Sequence, residues 1–484
     1  MSYQTYIELL IRDFRTKAGA IHSEIDDSIM QIFLNDKQWC RAIDSIDQTL
    51  KEKSMKILTP VEVKYRTDNM VCNKAVSTTL KIIDPQNIES ENITIEKIEG
   101  IEAIGGIEWC HKTLTLHGVP QNSGDFLLIL YGVLNSSKGY LQNIKGSLTV
   151  TVNPDPKTLW KEIEPDPELP YVKPHTDLDF KVSDDKDRLF YASKRGRSHA
   201  HAGTFRDDDG KIATTTSKWS ILVVADGGGS YKLSRRGSKV IVEQTVDALQ
   251  KILLGEEAEA LEKLVIENHQ NPNEHSKQQL LSQFNKTIIS AIYTAYHKLS
   301  QEANEKKNDI KSYSTTLLLA LHKLHENGKH IIISFWVGDG VIALYQKNKS
   351  VTLLGKPDNG EFAGQTRFLD ENAYQNTDRV DFVVVDDFTA LILATDGVSD
   401  PFFHHEKALE SLESWDHFWT TELWSVLNKE SDKESSEALL EWLDFWAIGN
   451  HDDRTIAILS PACNQKNVLK YPLVNATKEE DKYD

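Results

Sequence analysis

The sequence is poor in the residues that usually staple or anchor a protein. Its 484 residues include 4 cysteines, Cys40, Cys72, Cys110 and Cys463, and no two form a CxxC pair. That argues against a zinc site or a disulfide framework and fits a reducing cytoplasm. No apolar run reaches the roughly 18 residues a membrane span needs. Met1 to Arg15 carries acids among its apolar residues and shows no secretory pattern. Positive charge is in deficit, 55 basic against 73 acidic residues, a formal balance of −18. Nonspecific nucleic-acid and anionic-membrane binding are therefore not expected. A phosphate site in such a chain must be made positive locally, most simply by metal. The triple glycine Gly227 to Gly229 sits in neither a GxGxxG nor a Gly-loop Lys-Ser/Thr pattern, so it does not indicate a nucleotide loop.

What is present is ordinary globular material, 39% hydrophobic and 26% charged. Two or three domains are expected at this length. Residues 1–57 are expected to be helical, since Tyr6, Leu9, Leu10, Phe14 and later Ile25, Ile29, Ile32 and Phe33 recur at helical spacing. A cap packed on its neighbour is the plain reading, a docking segment the alternative. Residues 58–153 change to short alternating segments: Val61 to Tyr65, Ser77 to Ile82, Thr113 to Leu116, Phe126 to Tyr131 and Ser147 to Val152. They predict an all-β sandwich. Residues 154–185 predict a stiff linker, because Pro154, Pro156, Pro165, Pro167, Pro170 and Pro174 crowd its first part. Residues 186–463 alternate long helical patterns with apolar strands and predict an α/β sandwich with outer helices. Five late tryptophans, Trp415, Trp419, Trp424, Trp442 and Trp446, are expected in its core. Residues 464–484 are expected to form a charged tail.

The chemistry is concentrated where strands end. Ile221 to Ala225 is an apolar, mostly β-branched run that stops at Asp226 and three glycines. Gly338-Asp339-Gly340 and Thr395-Asp396-Gly397-Val398-Ser399-Asp400 also follow apolar strands, and Asp452-Asp453-Arg454-Thr455 precedes one. A single Asp-Gly is usually a turn. Several strand-end aspartates in one α/β domain point instead to oxygen ligands for hard cations such as Mg²⁺ or Mn²⁺. Two such ions about 3.5–4 Å apart are a known solution for hydrolysing phosphate esters.

In their order, these motifs resemble the metal-dependent protein phosphatase family of the type 2C class, closest to its bacterial branch. Arg195-Gly196-Arg197-Ser198-His199 with Arg206-Asp207-Asp208 resembles the opening motif, and Ala225-Asp226-Gly227-Gly228-Gly229 its Asp-Gly-x-Gly-Gly. Tyr313-Ser314-Thr315-Thr316, Gly338-Asp339-Gly340, Gly360 to Phe368, Asp396 to Asp400 and Asp452 to Thr455 follow in the family's order. The resemblance implies an α-β-β-α sandwich and a Mg²⁺- or Mn²⁺-dependent serine/threonine phosphatase using direct in-line attack by metal-bound hydroxide. It implies that Asp226 bridges two ions and that the Gly227 carbonyl completes one shell. Asp396 and Asp452 would ligate the other ion. Asp207 would act through water with Asp208 behind it. Asp339 and Asp400, with Asp396, would build a weaker third site. Ser314 and Thr455 would be structural. A phosphoprotein substrate, a cognate Ser/Thr kinase and a von Willebrand A-type protein are the implied partners.

Two positions depart from the pattern. Gly203 stands where many members carry a phosphate-gripping Arg, so Arg195, Arg197, Arg206 or Arg367 is expected to substitute. Gly228 stands where many carry His, so the expected acid is His199 or His201, or a metal-bound water. The alternative these losses raise is a pseudophosphatase, the same fold used as a binding platform. Separately, Leu114 to Phe126 resembles the strand–turn–strand signature of immunoglobulin-like bacterial modules, which implies an Ig-like domain that binds or spaces.

Overall fold

A computed structural model of the protein describes residues 60–83, 93–135, 141–355, 357, 366–375 and 377–462, with scattered helical positions before residue 60. The expected helical segment 1–57 lies almost wholly outside the described residues, as do the tail 464–484 and Gly360 to Gln365. The chain divides into two compact units, Met1–Leu159 and Trp160–Asp484.

The first unit is built of β1 (Val61–Arg66), β2 (Met70–Val71), β3 (Val76–Thr79), β4 (Lys81–Ile82), β5 (Ile93–Glu99), β6 (Ile107–Cys110), β7 (Thr115–Gly118), β8 (Gly124–Asn135) and β9 (Leu141–Asn153). One sheet runs β4-β1-β9-β8-β5 with β2 also on β9, and a second runs β3-β7-β6. β1 and β2 join β9 in parallel, the rest antiparallel. Inward residues at every second position, among them Val63, Ile95, Leu116, Leu128, Leu130, Leu148 and Val150, form a single core. Cys72 and Cys110 are free thiols.

The second unit contains β10 (Thr176–Val182), β11 (Arg188–Lys194), β12 (Asp209–Thr214), β13 (Ser220–Ala225), β14 (Leu317–Leu324), β15 (His330–Val337), β16 (Val341–Gln346), β17 (Ser350–Gly355), β18 (Val380–Val385), β19 (Ala390–Ala394) and β20 (Arg454–Ser460). They form two sheets, β10-β11-β20-β19-β16-β17 and β12-β13-β14-β15-β18. The sheets face each other through Leu222, Val224, Leu318 and Ile332 on one side and Leu189, Leu391, Leu393 and Ala457 on the other. The opposite face of the second sheet, with Val223, Leu319 and Ile333, is covered by helices Ser234–Ile252, Glu256–Gln270, Glu274–Phe284 and Ser290–Glu305. The outer face of the first, with Phe190, Ile392 and Ile458, meets Trp415, Trp419 and Leu439 from the late helices. This is the expected α-β-β-α sandwich. Strands such as β13 are buried on both faces, which is why they read as unbroken apolar runs.

The proline-rich stretch behaves differently from a spacer. β10 begins within it and pairs with β11 from Thr176 to Val182. Residues from Trp160 onward pack on the second unit: the Ile163 N–H donates to the Ala200 carbonyl at 2.9 Å, and Arg235 donates to the Pro170 carbonyl at 2.7 Å. Proline fixes φ and removes a donor, but its carbonyl still accepts and its ring still packs.

Candidate active site

Asp226 leaves β13 with its backbone fixed on both sides. Its N–H donates to Thr316 Oγ1 at 2.8 Å, and its carbonyl accepts from the Thr316 N–H and from Thr315 Oγ1, both at 2.8 Å. Asp339 follows β15 and accepts from Thr366 Oγ1 at 2.5 Å. Asp396 follows β19 and opens the helix Asp396–Phe402, with Asp400 one turn on. Carboxylate oxygens of Asp226, Asp339 and Asp396 lie within 4.8 Å of one another. Asp339 Oδ1 is buried with no hydrogen-bond partner.

Beside this set, Asp453 organises the turn where the first and last motifs meet. Its Oδ1 accepts from the Gly196 N–H at 2.6 Å, and its Oδ2 from the N–H groups of Asp207 at 2.5 Å and Asp208 at 3.3 Å. Gly397 passes so close to the Asp453 carbonyl that a Cβ would overlap it. Thr395 Oγ1 donates to Asp208 Oδ2 at 2.9 Å, and the Asp208 charge bears on Asp226.

The electrostatics follow from burying like charges together. Burial lifts Asp208 to about 7, with the Asp453 charge adding to it, and lifts Asp207 to about 6 against the pull of His199. Asp226 stands well above the ordinary carboxyl range through burial, then Asp208 and Asp396; Asp396 does so through burial, then Asp339 and Asp452. Asp452 is the exception. Burial works against its charge, but the hydrogen bond from His199 holds it below the usual value. His199 Nε2 lies 3.4 Å from Asp452 Oδ1, and its Nδ1 lies 2.8 Å from Thr204 Oγ1. Burial opposes its charge, but Asp453 and Asp452 raise it to about 10.

Several expected site residues are placed otherwise. Asp339, expected with Asp396 and Asp400 in a weaker third site, lies with Asp396 and also with Asp226, and Asp452 groups with His199 and Asp453. Arg206, expected to act on the substrate, is 1% exposed and turns to the Tyr191 hydroxyl at 3.4 Å. A buried guanidinium cannot meet a phosphate arriving from solvent, and this corrects that expectation. Arg195 donates to the Ile163 and Thr204 carbonyls, and Arg197 to the carbonyls of Asp444 and Phe445. Arg367 instead lines an open cavity of about 780 Å³ together with Thr315 and Thr366. His201 accepts from the Lys161 N–H at 3.1 Å and packs on Trp160, so His199 alone of the two imidazoles reaches the acids.

Sequence reasoning missed Asp453's organising role, Lys173, and the cover over Gly228. A Cβ on Gly228 would lie 2.7 Å from Phe368 Cζ and 2.8 Å from Tyr231 Cδ2. The position that departs from the family pattern is therefore walled by two aromatic rings, themselves packed edge to face at 5.4 Å.

A sequence model of the protein phosphatase 2C family matches residues 195–444, just over half the chain. The chain belongs to that family. No curated protein matches it. Solved structures match it at low identity. The serine/threonine phosphatase Stp1 of Staphylococcus aureus is 14% identical, with TM-score 0.33, over 62% of this chain and 99% of that one. The serine/threonine phosphatase of S. agalactiae gives 13%, TM-score 0.33, and 59% and 99%. The serine-threonine phosphatase 2C of Toxoplasma gondii gives 13%, TM-score 0.36, and 60% and 100%. The 2C family match ends before Asp452, so the closing acids are placed by this chain's own structure.

Proposed function

We propose that the second unit is a Mn²⁺- or Mg²⁺-dependent phosphatase of phosphoserine and phosphothreonine on proteins. The observation that carries this is the meeting of Asp226, Asp339 and Asp396 within 4.8 Å around a buried, unpartnered Asp339 oxygen. The donors are all oxygen, which suits a hard cation. Their mutual repulsion is what a cation would relieve. Asp226, the Gly227 carbonyl, Asp339 and Asp396 would hold ions, with Asp207, Asp208, Asp400 and Asp452 around them. Bound divalent ions supply charge neutralisation at the phosphoryl group and an activated water. The chain's own groups fix the geometry: Thr315 and Thr316 hold Asp226, Thr366 holds Asp339, and His199 keeps Asp452 ionised. Water adds to phosphorus, the ester P–O bond breaks, and the side-chain oxygen leaves as an alcohol.

The test is turnover of p-nitrophenyl phosphate and of a phosphopeptide with Mn²⁺. Activity abolished by EDTA and by Asp226→Ala is expected. Activity indifferent to both would overturn the reading, and failure to bind Mn²⁺ would favour a binding platform. We further propose an Ig-like binding or spacing role for the β unit and a cytoplasmic setting. No helix among the described residues is long and apolar enough to cross a membrane. A partner kinase and a von Willebrand A-type protein rest on the resemblance alone.

A further inference from the structure

The segment Trp160 to Pro174 precedes the family match, yet it touches the pieces that build the acidic site. Trp160 packs against His201 at 5.4 Å and against His451 at 4.2 Å, on either side of the turn that Asp453 organises. The Pro170 and Tyr171 carbonyls accept from Arg235 at 2.7 and 3.1 Å. The segment then delivers Lys173, whose side chain is 3% exposed. Its ammonium donates to the Asp208 carbonyl at 2.6 Å and reaches the Asp207 carbonyl at 3.4 Å, with Asp209 Oδ2 at 2.8 Å as its counter-ion. Ser238 Oγ donates to the same Asp207 carbonyl at 2.5 Å and lies 3.3 Å from Lys173 Nζ.

Asp207 and Asp208 are thus clamped through both kinds of backbone group. Asp453 takes their N–H groups, and Lys173, with Ser238, takes their carbonyls. An ammonium is the fitting donor, because it offers three N–H bonds from one point and can serve two adjacent carbonyls and a carboxylate. The clamp matters because the two side chains it aims are acids pushed together with others of the same sign.

We propose that Lys173 is a positioning residue for the metal site: from outside the family domain it locks the Asp207–Asp208 backbone so that both carboxylates face the ions. This rests on the metal reading above. It makes the opening segment of the second unit a working part of the phosphatase.

The experiment is calorimetric titration of Mn²⁺ into the full chain and its variants, with a thermal melt of each. Lys173→Met is expected to weaken Mn²⁺ binding about 10- to 100-fold, the usual range for groups that orient ligands. Ser238→Ala, which keeps the Lys173–Asp209 pair, is expected to weaken it less but in the same direction. Tyr171→Phe, in the same segment but away from both carbonyls, is expected to leave affinity unchanged. If Lys173→Met does not fold, Ser238→Ala decides, and unchanged affinity there overturns the proposal. Native Mn²⁺ binding that both variants leave intact overturns it while leaving the metal reading standing. An unaltered chain that binds no Mn²⁺ overturns both.

Discussion

The strands of the phosphatase sandwich carry titratable groups at both ends, and the two ends solve burial in opposite ways. At one end Asp226, Asp339 and Asp396 follow β13, β15 and β19. At the other, Asp187 precedes β11, His330 opens β15, and His322 lies near the end of β14. His322 Nε2 and His330 Nδ1 lie 2.9 Å apart, the rings stack at 5.2 Å, and Phe388 closes edge-on over both. A neutral imidazole has one donor and one acceptor, so one ring can donate to the other without charge, while His322 Nδ1 stays buried without a hydrogen bond, 3.5 Å from Asp187 Oδ2. Carboxylates have only acceptors, so three together repel one another, and a hydroxyl such as that of Thr366 satisfies an oxygen without cancelling the charge, which takes protons or a cation. Burial by itself does not mark a working site; burial of one sign of charge without an internal counter-charge does.

The largest effect that would break this contrast is on turnover. Asp226→Asn should lower Mn²⁺-dependent phosphatase activity by at least about 100-fold, more than loss of a supporting residue costs. His322→Phe should leave activity unchanged. Steady-state rates of both purified variants check this, and equal losses would erase the distinction between the ends.

The second effect is the pH dependence of stability at the histidine end. Burial, with His330 beside it, holds His322 down to about 3, against about 6.5 in the unfolded chain. Between those values the unfolded chain binds the extra proton. His322 therefore stabilises fully above about 6.5, and that contribution is lost as pH falls toward 3, by up to about 1.4 kcal/mol per unit. His330, also lowered chiefly by burial, acts in the same direction. Asp187, raised by burial, acts in the opposite direction at the acid end of the window. Melts from pH 7 to 4 should show His322→Phe gaining on the unaltered chain as pH falls.

The third effect concerns fit. Gly228→Ala drives a methyl group into Phe368 and Tyr231 and should cost about 1–3 kcal/mol, the usual range for overpacking. Adding Phe368→Ala should recover part of that loss, because neighbours couple. Denaturant unfolding of the single and double variants measures it. Strictly additive losses would mean that the rings do not wall the position.

How much of this was legible depends on how each residue is used. The apolar runs before Asp226, Asp339 and Asp396 announced themselves, because strands covered on both faces need apolar side chains at every position. The layered fold and the order of acids followed. What stayed hidden was side-chain direction. Arg206 sits one residue before Asp207 yet turns inward to Tyr191, and nothing in its neighbours' identity marks that choice. Lys173 was masked by the prolines around it, whose pattern suggests a spacer whether or not the carbonyls find partners. Asp453 looked like a duplicate of Asp452, and only the backbone N–H groups gathered on it separate organiser from candidate ligand. Phe368 over Gly228 joins positions 140 residues apart, which no local pattern records.

The smallest effect is the most discriminating. Asp226 is crowded by Asp208 and Asp396, so without metal its charge opposes folding. Asn keeps the shape, removes the charge and can donate to the Asp208 carboxylate. In EDTA, Asp226→Asn should therefore melt higher than the unaltered chain, by of order 1 kcal/mol or about 2–4 °C. Mn²⁺ should reverse the ranking, because it stabilises only the chain that binds it. Sites that trade stability for function behave this way. The histidine end supplies the control: a pair held neutral has no like-charge repulsion to relieve, so at neutral pH His322→Phe should melt no higher, with or without Mn²⁺. If Asp226→Asn also melted lower in EDTA, the acids would be held by the fold at no cost, and the case that they await a cation would fail.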